Sequence, residues 1–164
     1  LRLGEMAGGH STRLEVVQKA WEQGGFNVLV FADIHKMIWE KLICNCAYSG
    51  PCALTSLTIG EIQASPHGWS ISAACASEAY HVAKARGIKL EFNDPINYVW
   101  AFGQKIPGTR PSMLLDHMAG RRAEIDNING AIPREGGKLG IATPVNSTLV
   151  ALLKAKEQSF GARP

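Results

Sequence analysis

Lys41, Asn45 and Ser49 stand four residues apart inside the largely apolar run Trp-Glu-Lys-Leu-Ile-Cys-Asn-Cys-Ala-Tyr-Ser-Gly-Pro, residues 39–51. On a helix each four-residue step advances about 400°, so the three side chains fall within about 80° of one another and share a face. An ammonium and two neutral hydrogen-bonding groups beside Leu42, Cys46 and Ala47 make a wall that can grip a small anion. Two more places concentrate polar groups: Ser112 with Asp116 one turn later, and the run Glu124-Ile125-Asp126-Asn127-Ile128-Asn129-Gly130. A lysine in a cleft serves as a general acid, delivering a proton to a carbonyl oxygen as negative charge builds there, and works best when burial lowers its pKa. A carboxylate such as Glu124 orients that amine, though its charge also pulls the lysine pKa upward. Asn45, Ser49 and Ser112 suit the fixing of a carboxylate and a hydroxyl.

Each of these residues also has a plain structural reading. A lysine on an amphipathic helix usually faces water or snorkels. Ser112 reads as the N-cap of a helix, and Glu124 as an acidic residue in a first helical turn, where the macrodipole favours it. Asp116 and Arg121 read as an ion pair. The five histidines, His10, His35, His67, His81 and His117, show no metal-binding spacing. Trp39, Trp69 and Trp100 read as core packing.

The elements that must position these groups follow from periodicity and punctuation. Residues 1–5 read as a strand, Ser11 or Thr12 caps a helix that Gly24-Gly25 stops, and Phe26 to Phe31 reads as a second strand. Two strands and one crossover cannot cover a sheet, and the chain opens on a strand, so it is expected to be part of a longer protein. Asp33 caps a helix carrying Ile34, Met37, Ile38, Trp39, Leu42, Ile43 and Ala47, which Gly50-Pro51 should kink or break. Further helices are expected over about Trp69–Arg86, Pro95–Gln104, Met113–Ala119 with Ser112 as cap, Glu124–Ile132, and from Thr143-Pro144 to about Ser159. The fold expectation is therefore mainly α, preceded by one β-α-β unit.

Composition narrows the partners. The chain is 164 residues long with a net charge of +3, and its basic residues are scattered, which argues against nucleic acid. No apolar run approaches the roughly 20 residues of a membrane-spanning helix. Cys44 and Cys46 would point about 200° apart on a helix, poor geometry for a shared metal. With no secretory signal visible, the four cysteines, Cys52 and Cys75 included, read as buried thiols in a cytoplasmic protein, and no metal site is expected. There is no GxGxxG and no P-loop, so nothing in the chain reads as a pyrophosphate cradle.

Leu-Gly-Glu at 3–5, Trp-Glu-Lys-Leu at 39–42 with Asn45, Ser-Met-Leu-Leu-Asp at 112–116, Glu-Ile-Asp-Asn-Ile-Asn-Gly at 124–130 and Gly-Ile-Ala-Thr-Pro-Val-Asn at 140–146 recur in order. Together they resemble the C-terminal part of the ketopantoate reductase family, the NADPH-dependent 2-dehydropantoate 2-reductases. The resemblance implies that residues 1–33 are the end of an NADP-binding Rossmann domain and residues 34–164 a helical domain like the C-terminal domain of 6-phosphogluconate dehydrogenase. In that family the active site lies between the two domains. It further implies that Lys41 donates the proton, that Glu124 positions substrate and lysine, that Asn45 and Ser112 bind the substrate, and that NADPH, held mainly by the N-terminal domain, supplies hydride to a 2-oxo acid. Ser49 departs from the pattern: many members carry a second asparagine there, so Ser49 is expected to bind substrate but leaves a paralogue acting on another 2-oxo acid open. A second expectation, of a different kind, is a helical dimerisation or binding module that has lost its activity. An exposed apolar helix face is compatible with a homodimer.

Overall fold

The computed structural model describes residues 1–160. The last four residues of the helical domain expected from the sequence lie outside the described part. The chain divides into two compact units, Leu1–Lys41 and Leu42–Pro164, and the division falls inside a helix.

In the first unit, β1 (Arg2–Gly4) and β2 (Leu29–Phe31) pair in parallel with Leu3 opposite Val30, joined by α1 (Thr12–Gln23). Ser11 is the N-cap of α1, and its hydroxyl accepts from the Leu14 amide at 3.1 Å. Gly4 ends β1 where a Cβ would meet Phe31 O at 2.8 Å and Ile34 Cβ at 2.7 Å, so only glycine fits that crossing. Glu5 bonds Arg13 and the Ser11 hydroxyl, and these bonds hold its carboxyl below the usual range.

Asp33 accepts from the amides of His35 (3.0 Å) and Lys36 (3.3 Å) and so opens α2 (Ile34–Thr55). The expected break at Gly50-Pro51 does not occur: α2 runs through Pro51 as one 22-residue helix. Every residue from Cys46 to Ala53 is buried. Packing on all sides offsets the roughly 3 kcal/mol that an interior proline costs. The helix ends at Ser56, whose amide donates to Cys52 O at 2.8 Å and whose φ is +65°.

In the second unit, α3 (Ile59–Ala64) was not expected. It opens with a capping box: Thr58 accepts from the Glu61 amide while Glu61 accepts from the Thr58 amide. Ser65 closes α3 and caps α4 (Pro66–Ala85) by accepting from the Gly68 amide at 3.1 Å, so α4 starts three residues before the expected Trp69. Asp94 caps α5 (Pro95–Gln104), as the sequence reading placed it. Then come α6 (Ser112–Met118), a 3₁₀ turn (Ile125–Asn127), α7 (Ala131–Gly137) and α8 (Pro144–Glu157). The continuous helix expected over Glu124–Ile132 is thus a 3₁₀ turn, an irregular link and the start of α7. Pro133 sits in the first turn of α7, where its missing amide hydrogen is no loss.

The core of this unit gathers Ala53 of α2, Cys75 of α4, Met113 of α6, Ile125 of the 3₁₀ turn, and Leu149 and Leu153 of α8. Burying each of the two leucines is worth roughly 1.5–3 kcal/mol. Of the three tryptophans read as core, Trp39 is buried and Trp69 half-buried, whereas Trp100 is exposed at 38% and meets Trp69 edge to face.

All four cysteines are buried and unbridged. Burial pushes the thiols of Cys52 and Cys75 up from about 9 to about 12. Between those values the unfolded chain gives up protons that the folded chain keeps, so stability is complete below about pH 9 and falls as pH rises toward 12. Urea midpoints taken at about pH 8 and about pH 10 should show that fall, and the double variant Cys52→Ala, Cys75→Ala should flatten it relative to the parent chain. An equally steep fall in both proteins would assign it to other groups.

Candidate functional site

On α2 the three spaced residues pass from water to interior: Lys41 is exposed, Asn45 half-buried, and Ser49 only 5% exposed. Lys41 closes the first unit, whereas Asn45 and Ser49 belong to the second.

Ser112 is the first residue of α6 and is exposed. It does not cap the helix. Pro111 occupies the cap position and no side chain serves it, so the Ser112 hydroxyl carries no capping bond. Glu124 is exposed at the entry to the 3₁₀ turn, where its carbonyl accepts from the Asn127 amide at 3.0 Å and the Ile128 amide at 3.2 Å. Asp116 and Arg121 form the expected ion pair, 2.7 Å apart and on the surface.

The segments that carry these groups are locked together from beneath. Met113 follows Ser112, Ile125 follows Glu124, and both are core residues of one cluster with Ala53 of α2. Asn129, fully buried five residues after Glu124, donates from Nδ2 to Cys46 O and to Asn146 Oδ1, each at 2.9 Å. The first of these bonds ties the Glu124 segment to the residue next to Asn45. Asn146 in turn donates to Cys75 O at 3.2 Å and to Glu78 Oε2 at 2.7 Å. Glu78 also accepts the amides of Val145 (2.8 Å) and Asn146 (2.9 Å), replacing the cap that the Thr143 side chain does not provide. A carboxylate at a helix N-terminus is favoured by the macrodipole as well. Gly50 makes the crossing feasible, since a Cβ there would meet Asn129 Oδ1 at 2.8 Å and Leu149 Cδ2 at 2.6 Å.

The structure therefore fixes the backbones under Asn45, Ser49, Ser112 and Glu124, while among the described residues no hydrogen bond or ion pair joins any two of those four side chains. They carry two hydroxyls, an amide and a carboxylate, and none is consumed by another.

The family model for the ketopantoate reductase PanE/ApbA C terminal matches residues 33–157. The chain belongs to the ketopantoate reductase family. A 2-dehydropantoate 2-reductase of Archaeoglobus fulgidus is 32% identical over 158 residues, 96% of this chain and 53% of that protein. Among solved structures, the 2-dehydropantoate 2-reductase from Methylococcus capsulatus superposes with a TM-score of 0.86 at 28% identity, covering 98% of this chain and 51% of that one. A D-mandelate dehydrogenase solved with NADH gives 0.85 at 29% identity, covering 98% and 55%. The chain spans about half the length of the curated family members it matches. Its helical fold is that of these ketopantoate reductases, and no helix among the described residues is long and apolar enough to cross a membrane.

The sequence reading missed the residues that hold the site. Asn129 and Asn146 lie within the quoted motifs, so their places were marked though their work was not. Glu78 sits in the middle of α4 with no local signal of any kind. At the start of α1, Ser11 caps the helix, and Ser11 and Arg13 both bond Glu5.

Proposed function

We propose that the complete protein reduces a 2-oxo acid, 2-dehydropantoate first among them, with a nicotinamide cofactor held largely outside the residues described here. The observation that carries this reading is the placement of the family's polar residues on α2, α6 and the 3₁₀ turn, three segments joined by one core cluster and by the Asn129 bridge. The cofactor supplies the hydride to the 2-oxo carbon. Lys41 delivers the proton that the resulting alkoxide oxygen needs. Asn45 and the uncommitted Ser112 hydroxyl hold the carboxylate and hydroxyl of the substrate, and Glu124 accepts from the substrate hydroxyl.

A second reading concerns which acid is reduced. Ser49 is buried where many family members carry asparagine, and a D-mandelate dehydrogenase superposes as well as the ketopantoate reductases do. A serine leaves room that an asparagine would fill.

NADPH oxidation followed at 340 nm, with the complete protein and a panel of 2-oxo acids, tests both. Turnover with 2-dehydropantoate supports the first reading. Turnover only with a bulkier acid supports the second, and Ser49→Asn is then expected to shift kcat/KM by roughly tenfold toward 2-dehydropantoate. Silence with every acid would overturn the proposal in favour of a helical module without activity.

A further inference from the structure

Glu157 closes α8 and is 6% exposed, a carboxylate in the interior far along the chain from any family motif. One of its oxygens, Oε1, takes two hydrogen bonds: from the backbone amide of Ala123 at 2.8 Å and from His117 Nε2 at 3.0 Å. A carboxylate only accepts, so His117 Nε2 is the donor in this bond, and Nδ1 is buried with no hydrogen-bond partner. His117 lies on α6, five residues after Ser112. Ala123 immediately precedes Glu124, in a stretch (residues 121–124) without regular secondary structure.

We propose that Glu157 is a positioning residue for the reaction: its single oxygen clamps the helix that presents Ser112 to the strand of backbone that presents Glu124, and so sets the spacing of the two groups. The inference rests on the reading that Ser112 and Glu124 bind substrate. Two features argue for a clamp over mere core filling. First, α6 has seven residues and no side-chain cap, so its orientation depends on its buried face, and His117 is the polar anchor of that face. Second, among the described residues the Ala123 amide has no backbone acceptor and donates to Glu157 instead, while the turn bonds on either side, Arg121 N to Asp116 O at 2.8 Å and Asn127 N to Glu124 O at 3.0 Å, leave residue 123 out. Glu157 supplies the hydrogen bond that fixes the Ala123 amide; without it the chain just before Glu124 is held only by the packing of Ala123 on the core and by the turn that follows. A misplacement of about 1 Å can cost on the order of 10²-fold in rate.

The test uses the complete protein and compares Glu157→Leu with Glu157→Gln. Glutamine keeps an oxygen that accepts from both donors, so it should stay within about threefold of the parent protein in kcat/KM for the 2-oxo acid. Leucine removes both bonds at similar volume and should lose roughly 10- to 100-fold in that ratio, with KM for NADPH within about twofold. If the leucine variant does not fold, His117→Leu, which opens the clamp from the other side, should lose roughly tenfold with the same split between substrate and cofactor. The proposal is overturned if the leucine variant turns over like the parent, if glutamine loses as much as leucine, or if KM for NADPH worsens in step with that for the acid. Ser112→Ala and Glu124→Gln run alongside separate this outcome from failure of the underlying reading. If those two retain full activity, Ser112 and Glu124 are not substrate groups, and the clamp has nothing to position.

Discussion

Lys41→Ala in the complete protein is expected to lower kcat with the preferred 2-oxo acid by about 10²- to 10⁴-fold, the range in which a positioned general acid contributes. The fold should survive, because Lys41 is exposed and none of the bonds that tie α2 to its neighbours involves it. Lys41→Arg separates two roles. An arginine keeps the positive charge but does not give up its proton. If protonation of the alkoxide is the role, arginine fares nearly as badly as alanine; if attraction of the acid's carboxylate is the role, arginine recovers most of the rate and alanine raises KM. A Lys41→Ala protein with unchanged kcat would remove Lys41 from the mechanism.

The second large effect is on stability. Asn146→Leu keeps the branched shape of the side chain, at a larger volume, while stranding one hydrogen of Asn129 Nδ2 and removing a donor from the Cys75 carbonyl and from the Glu78 carboxylate. Each buried polar group left without its partner costs about 1–3 kcal/mol, so a loss of roughly 3–5 kcal/mol is expected, a large share of the 5–15 kcal/mol typical of a domain. Thermal unfolding should move down by on the order of 10 °C or more. Asn127→Leu, exposed two residues before Asn129, is the control and should fall within about 0.5 kcal/mol of the parent chain. If Asn146→Leu costs no more than that control, the site segments are held by the apolar cluster alone.

Local chemistry was legible in the sequence wherever a single side chain settles an element. Pro95 marked the start of α5, Ser11 or Thr12 that of α1, Asp33 that of α2, and Thr143-Pro144 that of α8. Misreadings arose where distant packing overrides local preference. Pro51 is tolerated because α2 is buried on every side from Cys46 to Ala53, and no window of sequence shows that. Glu124–Ile132 looked helical by composition, yet Asn129 is drawn inward to Cys46 O, which pulls the backbone off a helical path. The short α3 was hidden because six residues give too little periodicity to notice, although its Thr58-to-Glu61 capping box was written in the sequence.

The same division runs through the site. Lys41, Asn45, Ser49, Ser112 and Glu124 stood out as polar types at telling spacings and within family motifs. Glu78, His117 and Glu157 did not, since a carboxylate inside a helix is ordinarily a surface residue. Their roles come from partners that lie 34 residues or more away in the chain: Ala123 and Glu157 are 34 apart, His117 and Glu157 are 40 apart, Glu78 and Val145 are 67 apart.

That last separation bears on the order of assembly. The first turn of α8 has no cap of its own making, and its two leading amides wait for a carboxylate that belongs to α4. Closing a loop of that length is an entropic cost met before any bond forms. The start of α8, the helix that brings Leu149, Leu153 and Glu157 to the core, is therefore completed by α4 and not by its own sequence.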